Sequence, residues 1–194
     1  MLLATELREK IIAVSAGRKH RTVLIGIDGF GGSGKSTIAR AIREHFPEVT
    51  IVEMDDFYVP SLRRADFERV HDEVLTPLTN DKRATYQRYD WQTDTLAEWH
   101  VIEPGGMVVV EGVYSTHPSI AGLYDLKIWA ECAQDSAMER GIARDLRRDN
   151  TATHHAWLKD KWLNEWVPLE REYAETYNPK QYADYVLDGT SELK

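Results

Sequence analysis

Gly29-Phe30-Gly31-Gly32-Ser33-Gly34-Lys35-Ser36 is the stretch on which the reading of this 194-residue chain turns. It follows Val23-Leu24-Ile25-Gly26-Ile27, a short, continuously apolar and β-branched run that suits a strand covered on both faces of a parallel sheet. A segment of helical character comes next. Strand, glycine-rich turn and helix, in that order, form the context a phosphate-binding loop requires. The glycines let successive N–H groups curl inward toward phosphate oxygens, and a helix starting near Lys35 turns its positive dipole end to the same point. On this reading Gly29, Gly31, Gly32, Ser33 and Gly34 shape the cradle and Lys35 lies along the β- and γ-phosphates. The Ser36 hydroxyl ligates Mg²⁺, with Thr37 as a nearby hydroxyl. A plain glycine-rich turn is the bland alternative. The expected ligands are Mg²⁺ and a nucleoside triphosphate, with ATP as phosphoryl donor.

Such a loop alone does not separate kinases from GTPases or motor and transporter ATPases. A guanine-reading Asn-Lys-x-Asp is missing, since Asn80-Asp81-Lys82-Arg83 has the wrong order, and no Leu-Ser-Gly-Gly-Gln signature occurs. The length and 42% hydrophobic content fit one well-buried core. We expect a single domain over 1–194, with an N-terminal helix (1–20) packed on it and a lid at about 140–155. With 24 Lys+Arg against 32 Asp+Glu, the formal charge of −8 disfavours nucleic acid as a partner. Cys132 is a single cysteine and reads as a buried reduced thiol. No apolar run approaches the ~20 residues that span a bilayer, and the N-terminus lacks a signal-peptide block. No membrane partner is expected, and a cytoplasmic location follows by elimination. The oligomeric state stays open, a homo-oligomer included.

Further apolar runs at Thr50–Met54, Met107–Val110, Leu126–Ala130 and Tyr185–Leu187 alternate with helical or looped stretches, the α/β signature. Leu3, Leu7, Ile11 and Val14 give Leu2–Ala16 an amphipathic helical spacing, with Gly17 as its stop. Helices are also expected after Ser36, near Asp66–Leu75, near Thr93–Trp99 and from about Asp135 to Asp149. Trp157, Trp162, Trp166 and Tyr173 read as a packed stripe, with Pro168 interrupting or kinking the helix there. The architecture predicted is a three-layer α/β sandwich with a five-stranded parallel sheet, the nucleotide at its carboxyl edge and a helical lid.

Two acidic strand ends follow. Thr50–Met54 runs into Asp55-Asp56-Phe57-Tyr58 at the edge where open α/β sheets bind ligands. If that strand neighbours the loop-bearing one, Asp55 or Asp56 stands near the γ-phosphate, able to accept a proton from an attacking hydroxyl. An acidic loop or helix cap is the alternative. Met107–Val110 ends in Glu111-Gly112, the arrangement by which a carboxylate reaches Mg²⁺, or else an ordinary strand-end glutamate. Arg140, Arg144 and Arg148 share a helical face that could close over phosphates, although Asp145 and Asp149 also suit a solvated, salt-bridged helix. His154-His155 points in two directions along a helix, so no metal site is expected there.

These elements, with Tyr86-Gln87-Arg88-Tyr89-Asp90-Trp91, Val110-Glu111-Gly112-Val113-Tyr114 and Gln181–Val186, resemble the uridine kinase and phosphoribulokinase-like family of P-loop kinases from about Thr22 to Gly189. The resemblance implies that Asp55 is the catalytic base, Glu111 the acid beside the metal, and Arg140–Arg148 the lid, with Arg144-Asp145 the closest match. It also implies that Tyr58, Tyr89, Asp90 and Trp91 lie near the acceptor; a hairpin of cross-strand aromatic pairs is the alternative. The activity implied is transfer of a γ-phosphoryl group to a small-molecule hydroxyl, a nucleoside's above all. Nicotinamide riboside, pantothenate, a sugar phosphate, or a non-catalytic nucleotide-binding role are the rivals. Two departures bear on uridine. Gln92-Thr93-Asp94 follows Tyr89-Asp90-Trp91 where the family carries a histidine, and Arg64-Ala65-Asp66-Phe67-Glu68 is the nearest stretch to its acidic ribose element.

Overall fold

Each apolar run becomes a strand, because a run that is apolar on both faces is stable only between two layers of helices. The computed structural model describes residues 5–17, 20–147 and 152–190. The chain begins with α1 (Thr5–Gly17), β1 (Val23–Asp28), α2 (Lys35–His45) and β2 (Val49–Glu53). A 3₁₀ turn (Met54–Phe57) leads to the short strands β3 (Tyr58–Val59) and β4 (Arg64–Ala65), then to α3 (Phe67–Arg69), a π-helical stretch (Val70–Leu75) and α4 (Thr76–Thr79). The strands β5 (Ala84–Asp90) and β6 (Thr95–Ile102) precede β7 (Met107–Glu111), α5 (Pro118–Ala121) and β8 (Leu126–Glu131). Next come α6 (Gln134–Asp145), α7 (Ala152–Lys161), a π-helical turn (Trp162–Trp166), α8 (Val167–Tyr177), a 3₁₀ turn (Pro179–Tyr182) and β9 (Tyr185–Asp188).

The five-stranded sheet has the order β2-β7-β1-β8-β9, and every pairing in it is parallel. All residues of β1 and β7 are buried. Alternation divides β1 between two cores. Val23, Ile25 and Ile27 face α1 and α2, while Leu24 joins Val52, Phe57, Val74, Leu78 and Ile120 on the other side. Leu7 and Ile11 of α1 are buried, as their spacing predicts; Leu3 lies outside the described residues. Cys132 is buried and free. A third cluster of Leu158, Trp162 and Val167, with Met138, Ile142 and Trp166 against it, holds α6, α7 and α8 together.

Three readings need correction. The strand β2 does not adjoin β1, for β7 lies between them and pairs with both. The segment Thr93–Trp99 is not helical: β6 pairs antiparallel with β5, Gln87 opposite Trp99 and Thr85 opposite Val101. The helix-forming Leu96-Ala97-Glu98 is overridden because Ala84, Tyr86 and Ile102 of this hairpin bury into the second core. The arginine helix ends at Asp145, with Leu146 and Arg147 in a turn; Arg148 and Asp149 lie outside the described residues. Pro168 lies in the first turn of α8, directly after the π-helical turn Trp162–Trp166 where the regular α-helix breaks off, as expected of a proline there. The aromatic stripe holds for Trp162 and Tyr173, both buried, whereas Trp157 is 45% exposed.

Gly112, directly after β7, has φ +145°, and a Cβ there would stand 2.5 Å from the Met54 Cβ. This close approach lets the segment after β7 pass beside the turn after β2. Gly112→Ala is therefore expected to cost about 2–4 kcal/mol, strain and overpacking together, measured by urea unfolding.

Candidate active site

The cradle forms where β1 gives out. Gly34, at φ +105°, precedes α2, and no side chain caps that helix. No acidic residue lies in its first turn, so the dipole end is left to an external anion. Lys35 is buried and folds back, its Nζ donating to the carbonyls of Gly29 at 2.9 Å and Phe30 at 2.8 Å. The loop is clasped from outside. A Cβ on Gly32 would stand 2.0 Å from the Ala137 carbonyl of α6, and one on Gly34 would stand 2.6 Å from the Gly189 carbonyl. Ser33 is fully buried, and Thr37 turns along α2, its hydroxyl accepting from Arg40 at 3.2 Å.

Two of the predicted carboxylates meet at this cradle. Glu111 sits opposite Ile27 in the β1–β7 register, buried, and accepts a hydrogen bond from the Ser36 hydroxyl. Burial pushes its carboxyl up, while Lys35 and Ser36 pull it back. Asp55 reaches the same cleft by way of the 3₁₀ turn: its charge acts on Glu111 and on Arg144. Asp55 is exposed, whereas Asp56 turns toward the β5–β6 hairpin and accepts from the Tyr86 hydroxyl at 3.1 Å. Burial pushes the Asp56 carboxyl up to about 6 against that bond. The two neighbouring aspartates thus face different surroundings, and Asp55 is the one that shares the cleft with Glu111.

Arg144 of α6 pairs with Asp145 at 2.7 Å. Burial works against its charge, but Asp145, Asp55 and Glu111 outweigh that and hold it protonated. Arg140 lies one turn earlier, exposed, donating to the Gly189 carbonyl at 3.1 Å. The predicted acceptor residues form an aromatic wall. The Tyr58 ring is 4.2 Å from Trp91 and 5.3 Å from Tyr89, and Trp91 stands edge-on to Trp166 at 6.2 Å. The β5–β6 hairpin does form, with Tyr86 stacked across it on His100, and Tyr89 and Trp91 near its tip meet Tyr58 of β3. Asp90 is engaged in the tip itself, accepting the Gln92 N–H at 2.9 Å. The Tyr89 hydroxyl donates to Asp94, and that of Tyr58 to Glu165 at 3.4 Å.

Sequence reasoning missed three residues. Asp28, the last residue of β1, is fully buried and accepts from five donors: the N–H groups of Gly29, Tyr114 and Thr116, and the hydroxyls of Thr116 and Tyr173. Its signal was a lone carboxylate closing an otherwise apolar strand. Glu170 of α8 is 5% exposed and accepts the Gly31 N–H at 2.9 Å. Its signal was its place between Trp166 and Tyr173, a carboxylate inside the aromatic stripe. Arg64 lies 4.1 Å over the Phe67 ring, which stacks on His117; nothing in the sequence marked it. Asp66, from the stretch nearest the ribose element, caps α3 through the N–H groups of Glu68 and Arg69.

A hard cation fits the Ser36 and Glu111 oxygens, since Mg²⁺ takes one or two protein ligands and completes its shell with phosphate and water. Among the described residues no group of three or more His, Cys, Asp or Glu side chains is placed to hold a metal. His154-His155 belongs to no such group. No helix among the described residues is long and apolar enough to cross a membrane.

Comparison with known proteins agrees with this fold. The model of the phosphoribulokinase/uridine kinase family matches residues 54–154. The uridine kinase of Alkaliphilus metalliredigens is 31% identical over 187 residues, covering 87% of this chain and 88% of the relative. That of Ligilactobacillus salivarius is 25% identical over 190 residues, covering 89% and 87%. Among solved structures, the proposed fructose transport system kinase of Silicibacter sp. TM1040 superposes with a TM-score of 0.74 at 19% identity, over 96% of this chain and all of that one. A protein described as a possible uridine kinase from Bacillus stearothermophilus does so with 0.66 at 22% identity, over 95% and 100%. These structural likenesses establish the P-loop kinase fold, and the sequence relatives match over most of the chain. The chain therefore belongs to the phosphoribulokinase/uridine kinase family and is a phosphotransferase with an alcohol group as acceptor.

Proposed function

We propose that the protein transfers the γ-phosphoryl group of Mg²⁺-bound ATP to the 5′-hydroxyl of a nucleoside, uridine or cytidine, with Asp55 as the base that accepts the hydroxyl proton. The observation that carries this is the convergence of Asp55, Glu111, Lys35 and Arg144 on one cleft. An aromatic wall opens at Tyr58, just beyond Asp55. The kinship with uridine kinases points the same way. Catalysis is positioning and charge stabilisation, because a loose phosphoryl transition state asks little covalent chemistry of the protein.

The roles divide by position. Gly29, Gly31, Gly32, Ser33 and Gly34 cradle the phosphates, Lys35 neutralises the β- and γ-oxygens, and Ser36 with Glu111 holds the metal. Bound Mg²⁺ supplies positive charge to oxygens that become more negative as the bond to the leaving group breaks. Arg144 and Arg140 serve as the lid's cations, within a lid of about residues 140–155 on a single catalytic domain. Tyr58, Tyr89 and Trp91 offer faces on which a base can stack. The partners are a nucleoside triphosphate and a small molecule, not nucleic acid.

One observation favours a second reading. The Arg64 guanidinium lies over the Phe67 ring that stacks on His117, and burial first and then this cation hold the His117 imidazole below its ordinary value. A cation there suits an alcohol that carries its own anionic group, such as pantothenate or a sugar phosphate.

Assay with [γ-³²P]ATP against uridine, cytidine, nicotinamide riboside, pantothenate and a sugar phosphate separates the two. Labelling of uridine or cytidine is expected; labelling only of an anionic acceptor moves the assignment to the second reading. Asp55→Asn is expected to lower kcat by about 10²–10⁴-fold while leaving ATP binding nearly intact, the usual share of a general base. Unchanged turnover in that variant would remove Asp55 from the role. Trp91→Ala should raise KM for the acceptor about 5- to 150-fold with little change in KM for ATP, as about 1–3 kcal/mol for a lost stacking face implies.

A further inference from the structure

Glu170 is a buried carboxylate that the family roles leave unassigned. It lies on α8, 5% exposed, with one oxygen accepting the Gly31 N–H at 2.9 Å. The contact is tight enough that a Cβ on Gly31 would stand 2.8 Å from the other carboxylate oxygen. Charged and titratable groups face it from every element packed around it. Lys35 looks in from α2, Asp28 from the end of β1, Asp55 from the turn after β2 and Tyr114 from the segment after β7. Lys35 is the cation among them and the residue that reaches the β- and γ-phosphates. Asp55 is the residue placed where the acceptor hydroxyl attacks. Glu170 thus stands at the terminal-phosphate end of the cradle, holding one of its N–H groups and sharing its lysine.

We propose that Glu170 is a tethered anion of the nucleotide site, one that weakens the protein's hold on a triphosphate more than on a diphosphate by competing for the Gly31 N–H and for Lys35. The inference rests on the cradle being a nucleoside triphosphate site, and it is independent of which acceptor is used. Two like charges at contact distance in a partly dry site oppose one another strongly. A terminal phosphate is therefore expected to displace the carboxylate or to be bound beside its neutral form. Burial makes the neutral form accessible, raising the Glu170 carboxyl to about 7 against the pull of Lys35 and the Gly31 N–H. The sign follows. Below that value the group is mostly uncharged and the competition fades; above it the anion is fully present and the competition is greatest.

The test is equilibrium binding of ADP and of the non-hydrolysable analogue AMP-PNP, each with excess Mg²⁺, to the full chain by tryptophan fluorescence. Wild type is compared with Glu170→Gln, which keeps an oxygen to accept the Gly31 N–H. Glu170→Gln is expected to bind AMP-PNP about tenfold more tightly and ADP within about threefold of wild type. The AMP-PNP difference between the two proteins should widen from pH 6 to pH 8, a trend a purely structural hydrogen bond would not produce. Should Glu170→Gln fold poorly, Glu170→Ala must show the same selective gain. An AMP-PNP affinity that is unchanged or weaker, or a gain matched by ADP, overturns the inference while leaving the nucleotide site standing. Wild-type protein that binds neither nucleotide overturns both.

Discussion

Asp28 is the single acceptor on which the geometry of the site depends. It ends β1, has no exposure, and its donors are all neutral: the N–H groups of Gly29, Tyr114 and Thr116 and the hydroxyls of Thr116 and Tyr173. An isolated buried carboxylate is expensive, and only a full set of hydrogen bonds makes it tolerable. Burial still raises its pKa despite those bonds. The donors come from three separate parts of the chain: the first glycine of the cradle, the segment after β7, and α8. Folding β1 therefore does not by itself place the cradle. The segment after Glu111 and the Tyr173 face of α8 must arrive for Asp28 to be satisfied. Tyr114, held at φ +72° with its N–H on Asp28, carries strain that this arrangement over-determines.

The parts of this design legible in the sequence were those written locally. The five strands were visible because each is a short run, apolar on both faces, and their parallel pairing followed from the helices between them. The cradle was legible because its glycines, lysine and serine lie in eight consecutive residues, Gly29 to Ser36. What stayed hidden depends on distant partners. The order that inserts β7 between β1 and β2 leaves no local mark, so the route of Asp55 into the cleft could be stated only as a condition. Leu96-Ala97-Glu98 favours a helix in isolation, and only the β5 ladder makes it a strand. Asp28 and Glu170 each looked like one polar residue at the edge of an apolar pattern, and their meaning came from groups 86 to 145 positions away in one case and 139 in the other.

The second and third layers of the site share an economy of contact. Gly31 and Gly141 both meet the Trp162 ring, at 2.7 and 2.4 Å from where a Cβ would be. The cradle and α6 are therefore clamped on one indole, whose N–H in turn donates to Asp145 at 3.2 Å. Asp145 is also the partner of Arg144. The ring that packs the small core of α6, α7 and α8 thus fixes the backbone of the cradle and, through Asp145, the cation that faces Asp55 and Glu111. Stripe and site are one object here. The same face that buries Trp162 and Tyr173 delivers Glu170 to the Gly31 N–H, so α8 cannot shift without disturbing the cradle.

Charge explains why such a site needs further cations. The chain carries a formal charge of −8, and Asp28, Asp55, Glu111 and Glu170 all act on the region around Lys35. A triphosphate entering this field brings more negative charge against one buried lysine. The helix dipole of α2 offsets a fraction of a unit, which leaves most of the imbalance in place. Under the proposed function, neutralisation comes from further cations: a metal that would fit Ser36 and Glu111, and Arg144 as α6 holds it toward Asp55. Those are also the charges that matter most to the transferring phosphoryl group, whose oxygens hold the developing charge. On that proposal, an acidic cleft that binds its anion together with a metal and Arg144 couples occupancy to catalytic geometry. Binding the anion and stabilising the transition state then use the same cations.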